Sequence, residues 1–242
     1  MRNSAIVIPA LNPSEILIDY VEELLQKGAP LVLVVNDGST QELNHIFEHL
    51  SSMERCHVLT HDVNRGKGRA LKTAFEHFLT NETNLKGVVT ADSDGQHSVQ
   101  DIAKVAEALE TGERSLILGV RDLNAEHVPF RSTLGNRLTT QFFYWLFGYR
   151  LEDTQTGLRG IPTSEIHTLT QLKGERYEYE INMLIYARRN QLPFHEIPIE
   201  TIYFNNNEGS HYKSIRDSAK IFRRMVREFF ESKNRKQREA GL

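Results

Sequence analysis

The strongest constraint on the fold is a repeated pairing, in the first half of the chain, of a short apolar run with a longer amphipathic segment. Runs rich in β-branched residues predict buried strands, and the longer segments repeat their apolar residues at helical spacing. The connections are too long for hairpins, so successive strands should lie parallel, with helices on both faces of one sheet. The sequence therefore predicts an α/β fold with a mostly parallel sheet. The predicted strands cover 5–8, 31–35, 57–60, 87–91 and 115–119.

The second half of the chain is less regular than the first. Segments 133–147, 163–172 and 179–189 have the apolar spacing of helices, and 194–203 reads as extended chain between prolines. No internal repeat and no clear linker interrupts this part. We therefore expect the second half to belong to the same domain as the first.

The final thirty residues differ from the rest of the chain in charge. The chain carries 29 Lys+Arg and 32 Asp+Glu, but ten of the basic and only four of the acidic residues lie from Lys213 onward. A helix predicted over 214–232 places Val226 and other apolar residues on one stripe among several arginines. We predict a domain over 1–212, followed by a basic amphipathic helix and tail over 213–242. Such a helix either docks on its own domain or lies on an anionic membrane surface.

Composition excludes several classes of protein. A formal net charge of −3 and a pI near 6.4 argue against a nucleic-acid binder. No apolar run approaches the roughly 20 residues that span a bilayer, and the first residues lack a secretion signal. The single cysteine, Cys56, cannot form an internal disulfide, which favours a reducing compartment. We expect a cytoplasmic protein, attached at the cytoplasmic face of a membrane if its last helix binds lipid.

Polar clusters follow three of the predicted strands, at the edge where parallel sheets bind ligands. In the last cluster, Asp92 and Asp94 are separated by one residue, and Gln96 adds an amide oxygen. Oxygen ligands of this kind suit Mg²⁺ or Mn²⁺, and His97 is placed to support the loop through a hydrogen bond. A turn rich in Asp that caps the next helix explains the same residues without a metal. The three clusters cover 9–13, 36–39 and 92–97.

Nine short motifs, including the three clusters, follow one another along nearly the whole chain. They read IPALN, VNDGST, NRGKG, DSDGQH, GVR, DTQTGLR, YEYE, IPI and SHY, and begin at positions 8, 35, 64, 92, 119, 153, 177, 197 and 210. This succession resembles inverting glycosyltransferase family 2, in its polyprenyl-phosphate (dolichyl-phosphate mannosyltransferase-like) branch. The resemblance implies a GT-A-like (Rossmann-like) fold. It also implies inverting sugar transfer from a UDP-sugar or GDP-mannose to an undecaprenyl-type polyprenyl phosphate, for cell-envelope glycan synthesis.

The resemblance also implies roles for residues that bind the nucleotide sugar. Pro9 and Asn12 would line the nucleotide pocket, and Asp37 would accept a hydrogen bond from the base. Lys67 would lie close to the nucleotide, and Arg121 would face the phosphates. The identity of the base and of the sugar stays open, because selectivity depends on the shape of the pocket beyond these motifs.

The metal and the acceptor are assigned by the same resemblance. Asp92 and Asp94, helped by Gln96, would hold Mg²⁺ or Mn²⁺ on the diphosphate of the donor. Asp153 would lie beside the acceptor; the alternative is that it is a loop residue in a turn before Gly157. The loop that carries His211 would close over the diphosphate, while its composition alone predicts only a flexible loop.

The chemistry leaves the acceptor open. A lipid phosphate is anionic near neutral pH and needs no general base, whereas a saccharide hydroxyl would use Asp153 as its base.

Two other classes of protein are alternatives to a glycosyltransferase. A nucleotidyltransferase also uses paired carboxylates and a metal, but its glycine-rich phosphate loop after the first strand is absent. A non-enzymatic binding protein is a third alternative. Glu178 and Glu180 are interpreted as structural anchors for basic residues. The candidate catalytic residues are Asp94, Arg121 and Asp153.

Overall fold

The computed structural model describes five stretches of the chain. In 130–134 it describes the backbone alone. The described residues are 1–81, 84–111, 113–122, 130–200 and 223–227.

Seven strands form one sheet in the order β3-β2-β1-β4-β6-β5-β7. Neighbouring strands are parallel except at β6, which runs antiparallel to both β4 and β5. The predicted mostly parallel sheet is thus confirmed. The strands are Ser4–Ala10 (β1), Val32–Asp37 (β2), Cys56–His61 (β3), Gly87–Thr90 (β4), Leu116–Arg121 (β5), Arg159–Pro162 (β6) and Phe194–Ile199 (β7).

Helices cover both faces of the sheet, as predicted. Alternate residues of β1 point to opposite faces, so Val7 packs in one apolar cluster and Ile6 in the other. The first cluster contains residues of α3, α6 and α7, and the second contains residues of α1, α2 and α4. The helices are Ile16–Gln26 (α1), Asn44–Ser51 (α2), Lys67–Asn81 (α3), Val99–Glu110 (α4), Phe130–Phe147 (α5), Thr163–Thr170 (α6) and Glu178–Arg189 (α7), and a 3-10 turn covers Gln41–Leu43.

Strand β6 is the element that the sequence did not predict. It has only four residues, Arg159–Pro162, and it ends on a proline. The five strands predicted in the first half are all present, and every observed limit lies within two residues of the predicted one. The extended segment predicted over 194–203 is β7, which ends at Ile199.

The C-terminal segment is described only over 223–227, which is helical, so the predicted boundary at 212 and most of the predicted helix lie outside the described residues. This turn packs on the domain: Met225 is fully buried in the first apolar cluster, and Arg224 Nε donates to Asn182 Oδ1 at 3.1 Å. Val226 of the predicted apolar stripe is 36% exposed, and the other residues of the stripe lie outside the described residues. Among the described residues, no helix combines the length and apolarity needed to cross a bilayer.

Candidate active site

The candidate site lies at the carboxyl edge of the sheet, where β1, β2, β4 and β5 end. Because β6 runs the opposite way, the loop before it reaches the same edge. Thr90, at the end of β4, pairs with Arg159 at the start of β6, and Thr90 Oγ1 donates to the Gly157 carbonyl at 2.7 Å. The antiparallel strand therefore brings the loop 153–157 against the loop 92–97.

Asn12 joins the loops that follow the first two strands. Its backbone N–H donates to Ser39 Oγ, and its Oδ1 accepts from the backbone N–H of Thr40, both at 2.9 Å. Asn12 has a φ of +48°, a left-handed conformation that asparagine tolerates better than most residues. Pro9 lies half-buried near the end of β1. The contacts of Pro9 and Asn12 with a nucleotide stay predictions.

The Asp37 carboxylate is buried and already has three protein partners. His61 Nδ1 donates to it at 2.7 Å, and the backbone N–H groups of Arg65 and Gly66 donate at 2.9 and 2.8 Å. His61 Nε2 also lies 3.0 Å from Thr73 Oγ1 of α3. Asp37 thus fixes the loop that leads into α3, and its predicted hydrogen bond to the base stays a prediction.

Lys67 joins two carboxylates that are distant in sequence. Its Nζ lies 2.7 Å from Asp92 Oδ1 and 2.9 Å from Glu180 Oε1. Burial opposes the charge on Lys67, but the two carboxylates outweigh burial and raise the pKa of its ammonium group. Burial likewise opposes ionisation of Asp92, yet Lys67 and His97 lower the pKa of that carboxyl well below its usual range. The interpretation of Glu180 as an anchor for a basic residue is confirmed.

The surroundings of Asp94 shift its pKa in the opposite direction from that of Asp92. No cation of the described chain lies within ion-pair distance of it, and the backbone N–H of Gln96 donates to its Oδ1 at 3.1 Å. Burial, followed by the negative charge of Asp92, raises the pKa of Asp94. Two carboxylates in one loop therefore have pKa values that are shifted apart. This arrangement leaves Asp94 as the carboxylate that an added cation would stabilise most.

His97 is buried beside Asp92 without a good hydrogen bond from its ring. Its Nε2 lies 3.5 Å from Asp92 Oδ2, and neither ring nitrogen has a hydrogen-bond partner within the described part of the chain. Its backbone carbonyl accepts from Tyr20 Oη at 2.6 Å, which ties the loop to α1. The predicted supporting hydrogen bond is therefore not formed by the described residues, and the ring approaches Asp92 Oδ2 at 3.5 Å instead.

The residues of this loop fit a divalent cation. The described stretches contain no cluster of three or more His, Cys, Asp or Glu side chains that could hold a metal by themselves. Asp92 and Asp94 would supply two carboxylates and Gln96 an amide oxygen, and substrate oxygens and water would complete the coordination. Such an ion would compete with Lys67 for Asp92.

Arg121 and Asp153 pair with each other at the far side of the site. Arg121 Nε and Nη2 donate to the two carboxylate oxygens at 2.6 and 3.0 Å, and Asn136 Nδ2 donates to Oδ1 at 2.6 Å. Asp153 is 0% exposed. Burial by itself would raise its pKa, but Arg121, the backbone N–H of Gln155 and Asn136 hold the pKa of Asp153 below its ordinary value. The contact of Arg121 with the phosphates and that of Asp153 with the acceptor stay predictions. The structure shows in addition that the two side chains bind each other.

Four residues that contribute to the site were given no role in it from the sequence. His61 and Asn136 bind the predicted carboxylates, and Gly157 packs directly on the Asp92 carboxylate. Arg159 is fully buried, where its Nε and Nη1 donate to the carbonyls of Thr156 and Glu180. The contact between His61 and Asp37 could have been predicted, because the two residues end adjacent strands and face each other in register. His211 lies outside the described residues.

Known proteins resemble this chain in sequence and in fold. The *Methanococcus voltae* UDP-N-acetylglucosamine–dolichyl-phosphate N-acetylglucosaminyltransferase is 29% identical over 215 residues, covering 82% of this chain and 85% of that protein. The *Saccharomyces cerevisiae* dolichyl-phosphate β-glucosyltransferase is 26% identical over 250 residues, covering 92% and 72%. The *Mycobacterium tuberculosis* glucosyl-3-phosphoglycerate synthase, in complex with Mn²⁺, UDP and phosphoglyceric acid, superimposes with a TM-score of 0.66 at 19% identity, covering 93% and 76%.

The family assignment rests on the part of the chain that forms the site. Residues 5–168 match the model of Glycosyl transferase family 2, and this range contains the ends of β1, β2, β4 and β5. It also contains both carboxylates of the candidate metal loop and the pair formed by Arg121 and Asp153. The match covers more than half of the chain, so the chain belongs to glycosyl transferase family 2 and is a glycosyltransferase.

Proposed function

We propose that this glycosyltransferase transfers a sugar, with inversion, from a nucleoside-diphosphate sugar to a polyprenyl phosphate in the presence of Mg²⁺ or Mn²⁺. Two relatives named for transfer to dolichyl phosphate each align with more than four-fifths of the chain, which supports a lipid phosphate as acceptor. Family membership decides against the nucleotidyltransferase and against a non-enzymatic binding protein. The sugar and the nucleotide base stay open between UDP-sugars and GDP-mannose.

The donor side of the proposal rests on the carboxylates at the end of β4. Asp92 and Asp94, with Gln96, are the proposed metal ligands, and a divalent ion there would neutralise charge on the departing nucleoside diphosphate. Mn²⁺ and UDP are present in the *M. tuberculosis* complex that shares this fold. Asp94 supports the assignment, because burial and the charge of Asp92 raise its pKa, and a bound cation relieves that repulsion.

The state of Asp153 is the observation that carries the choice of acceptor. A hydroxyl acceptor would need Asp153 as a general base, but its two oxygens are bound by Arg121 and Asn136 and it is fully buried. Its lowered pKa makes it a weak base as well. A phosphate acceptor is already anionic and attacks the anomeric carbon without a base. In this proposal Asp153 holds Arg121 in place to face the phosphates of the donor.

We also propose that the enzyme works at the cytoplasmic face of a membrane, to which it is attached peripherally. The acceptor class is lipid-linked in the named relatives, and the described helices include none that could cross the bilayer. The basic stretch 213–242 supports peripheral attachment, since Lys and Arg near an anionic leaflet each contribute about 1 kcal/mol.

Transfer of radiolabelled sugar tests the proposal. The protein is incubated with a labelled nucleotide sugar, Mn²⁺ and a short-chain polyprenyl phosphate in detergent. Label should enter a product that extracts into organic solvent and is released by mild acid. Label that enters only a water-soluble, acid-stable product would overturn the lipid-phosphate proposal in favour of a hydroxyl acceptor.

Two matched substitutions test the metal ligand. Asp94→Asn should abolish Mn²⁺-dependent transfer, because an amide binds divalent ions much more weakly than a carboxylate. Asp19→Asn makes the same chemical change at an exposed position on α1 and should leave transfer unchanged. Equal activity in the two variants would refute the assignment of Asp94.

A further inference from the structure

Lys67 is held between two carboxylates that belong to different elements of the fold. Its Nζ lies 2.7 Å from Asp92 Oδ1, in the loop after β4, and 2.9 Å from Glu180 Oε1, in the first turn of α7. The side chains of Lys67 and Glu180 are 18% and 12% exposed. An ammonium group has three N–H donors, and the two carboxylates take one each. Lys67 therefore links the metal loop to α7.

The position of Glu180 is fixed from the side of α7 and not by the metal loop. Arg159 is fully buried, and its Nη1 donates to the Glu180 carbonyl. The neighbouring Tyr179 is also fully buried, and its Oη donates to the Leu169 carbonyl at 2.8 Å. These contacts do not involve the metal loop, so Glu180 keeps its place when that loop binds an ion.

The two carboxylates differ in what a divalent ion does to them. Asp92 is a proposed ligand of the ion, so binding takes Asp92 away from Lys67. Within the described residues, no group of three or more acidic, His or Cys side chains is arranged to hold a metal, so Glu180 does not join Asp92 and Asp94 as a third ligand. Glu180 therefore stays available to Lys67 after the ion has bound.

A partner that remains lowers the cost of this exchange. Removing the only partner of a buried charge is strongly destabilising, because the charge is left without compensation. Lys67 is mostly buried, so without Glu180 the ion would have to leave the ammonium group unpaired. With Glu180 present, the ammonium group loses one carboxylate and keeps the other. The N–H donor that Asp92 releases can then bind a phosphate oxygen of the nucleotide sugar.

We propose that Glu180 is a positioning residue: it retains Lys67 when a divalent ion takes Asp92, and so raises the affinity of the site for the ion. This inference rests on the metal site of the proposed function and adds a residue that acts through Lys67. Glu180 also attracts a cation directly through its negative charge. The two effects can be separated, because only the first of them requires the ammonium group.

A double-mutant cycle tests the inference in the full-length protein. Glu180→Gln, Lys67→Met and the double variant are stripped of metal with a chelator and transferred into buffer without it. The dissociation constant of Mn²⁺ is then measured from the electron paramagnetic resonance signal of the free ion. Glu180→Gln keeps the shape of the side chain and the backbone contact with Arg159, and thermal unfolding checks that each variant is folded. Glu178→Gln, in the same helical turn, is the control, because Glu178 accepts from backbone N–H groups of the preceding loop.

Glu180→Gln should weaken Mn²⁺ binding by about 10–100-fold, the usual effect of removing a partner that orients the groups around a metal. Glu178→Gln should leave the binding unchanged. In the Lys67→Met background, Glu180→Gln should have a much smaller effect, because no ammonium group remains to be retained. An equal loss of affinity in both backgrounds would overturn the inference, since Glu180 would then act on the ion by its charge alone. Wild-type affinity in Glu180→Gln would overturn it as well.

Asp94→Asn separates a failure of this inference from a failure of the proposed metal site. If Asp94→Asn abolishes Mn²⁺ binding while Glu180→Gln leaves it at the wild-type value, this inference alone is overturned. If Asp94→Asn binds Mn²⁺ like the wild type, the proposed metal site is wrong and the inference falls with it.

Discussion

The close approach of Gly157 to Asp92 gives a sharp test of the candidate site. A Cβ atom on residue 157 would lie 2.5 Å from Asp92 Oδ2, 2.8 Å from Oδ1 and 2.9 Å from Cγ. Ordinary van der Waals contact begins at 3.4 Å, so in Gly157→Ala the Asp92 carboxylate has to move by about 0.9 Å. Gly157 does not have a left-handed backbone, so the conflict is steric alone.

The contacts of Asp92 set the size of the effect. The carboxylate cannot move without disturbing its 2.7 Å contact with Lys67 and its 3.5 Å contact with His97. Overpacking of this kind costs about 1–3 kcal/mol, which lowers the Tm of a domain of this size by about 2–12 °C. Displacing a catalytic group by about 1 Å costs about 100-fold in rate. We therefore expect the kcat/KM for sugar transfer to fall by about two orders of magnitude.

Gly135 provides the matched control for this substitution. It lies in α5, where an added Cβ atom meets nothing within 4 Å, so Gly135→Ala should raise stability by about 0.5–1 kcal/mol and leave transfer unchanged. Both variants are compared with the wild type by thermal unfolding, by the rise in Tm that Mn²⁺ produces, and by initial rates of transfer. Wild-type rates and a wild-type Mn²⁺ response in Gly157→Ala would refute the claim that this contact positions Asp92.

Three further substitutions probe the charges of the site. Asp94→Asn should raise the Tm of the metal-free protein, because it removes repulsion from Asp92, and should abolish the Mn²⁺-induced rise in Tm. Asp153→Asn should lower the free energy of unfolding at pH 7 by about 3–5 kcal/mol, since it leaves Arg121 without its carboxylate. Because the pKa of Asp153 is lowered in the folded state, this stabilisation is complete above the ordinary Asp pKa and is lost as pH falls towards the lowered value, so the difference should shrink in acid denaturation experiments. Lys67→Met should lower the Tm without metal and enlarge the Mn²⁺-induced rise, and equal rises in variant and wild type would contradict the proposed competition for Asp92.

The parallel half of the fold could be predicted because its signals are local. Strands β1, β2, β4 and β5 each contain consecutive apolar residues, and β2, Val32–Asp37, is buried at every position. Strand β6 has no comparable signal, because four residues that end on a proline look like part of a loop. Its direction depends on pairing with β4 and β5, which are far from it in sequence.

The difference between local patterns and pairing over long sequence distances also explains which contacts of the site could be predicted. That Asp37, Asp92 and Arg121 lie at one edge follows from their places after parallel strands. That Arg121 pairs with Asp153 follows only once β6 is known to reverse the chain beside β5. The contact of Lys67 with Glu180 requires α7 to pack beside α3, and no local pattern encodes that packing.

The balance of charge at this edge explains why a divalent cation suits the proposed chemistry. Lys67 and Arg121 already pair with carboxylates, so a nucleoside diphosphate that arrives alone must displace one of them from its partner. A divalent ion at Asp92 and Asp94 would reverse the sign of the local charge, and by competing for Asp92 it would also release Lys67 towards an incoming phosphate. Metal and donor should therefore each strengthen the binding of the other. With their carboxylates ionised, the acidic residues of this edge carry one more charge than its basic residues, so a single divalent ion is enough to make the local charge positive. The acidic residues are Asp92, Asp94, Asp153 and Glu180, and the basic residues are Lys67, Arg121 and Arg159.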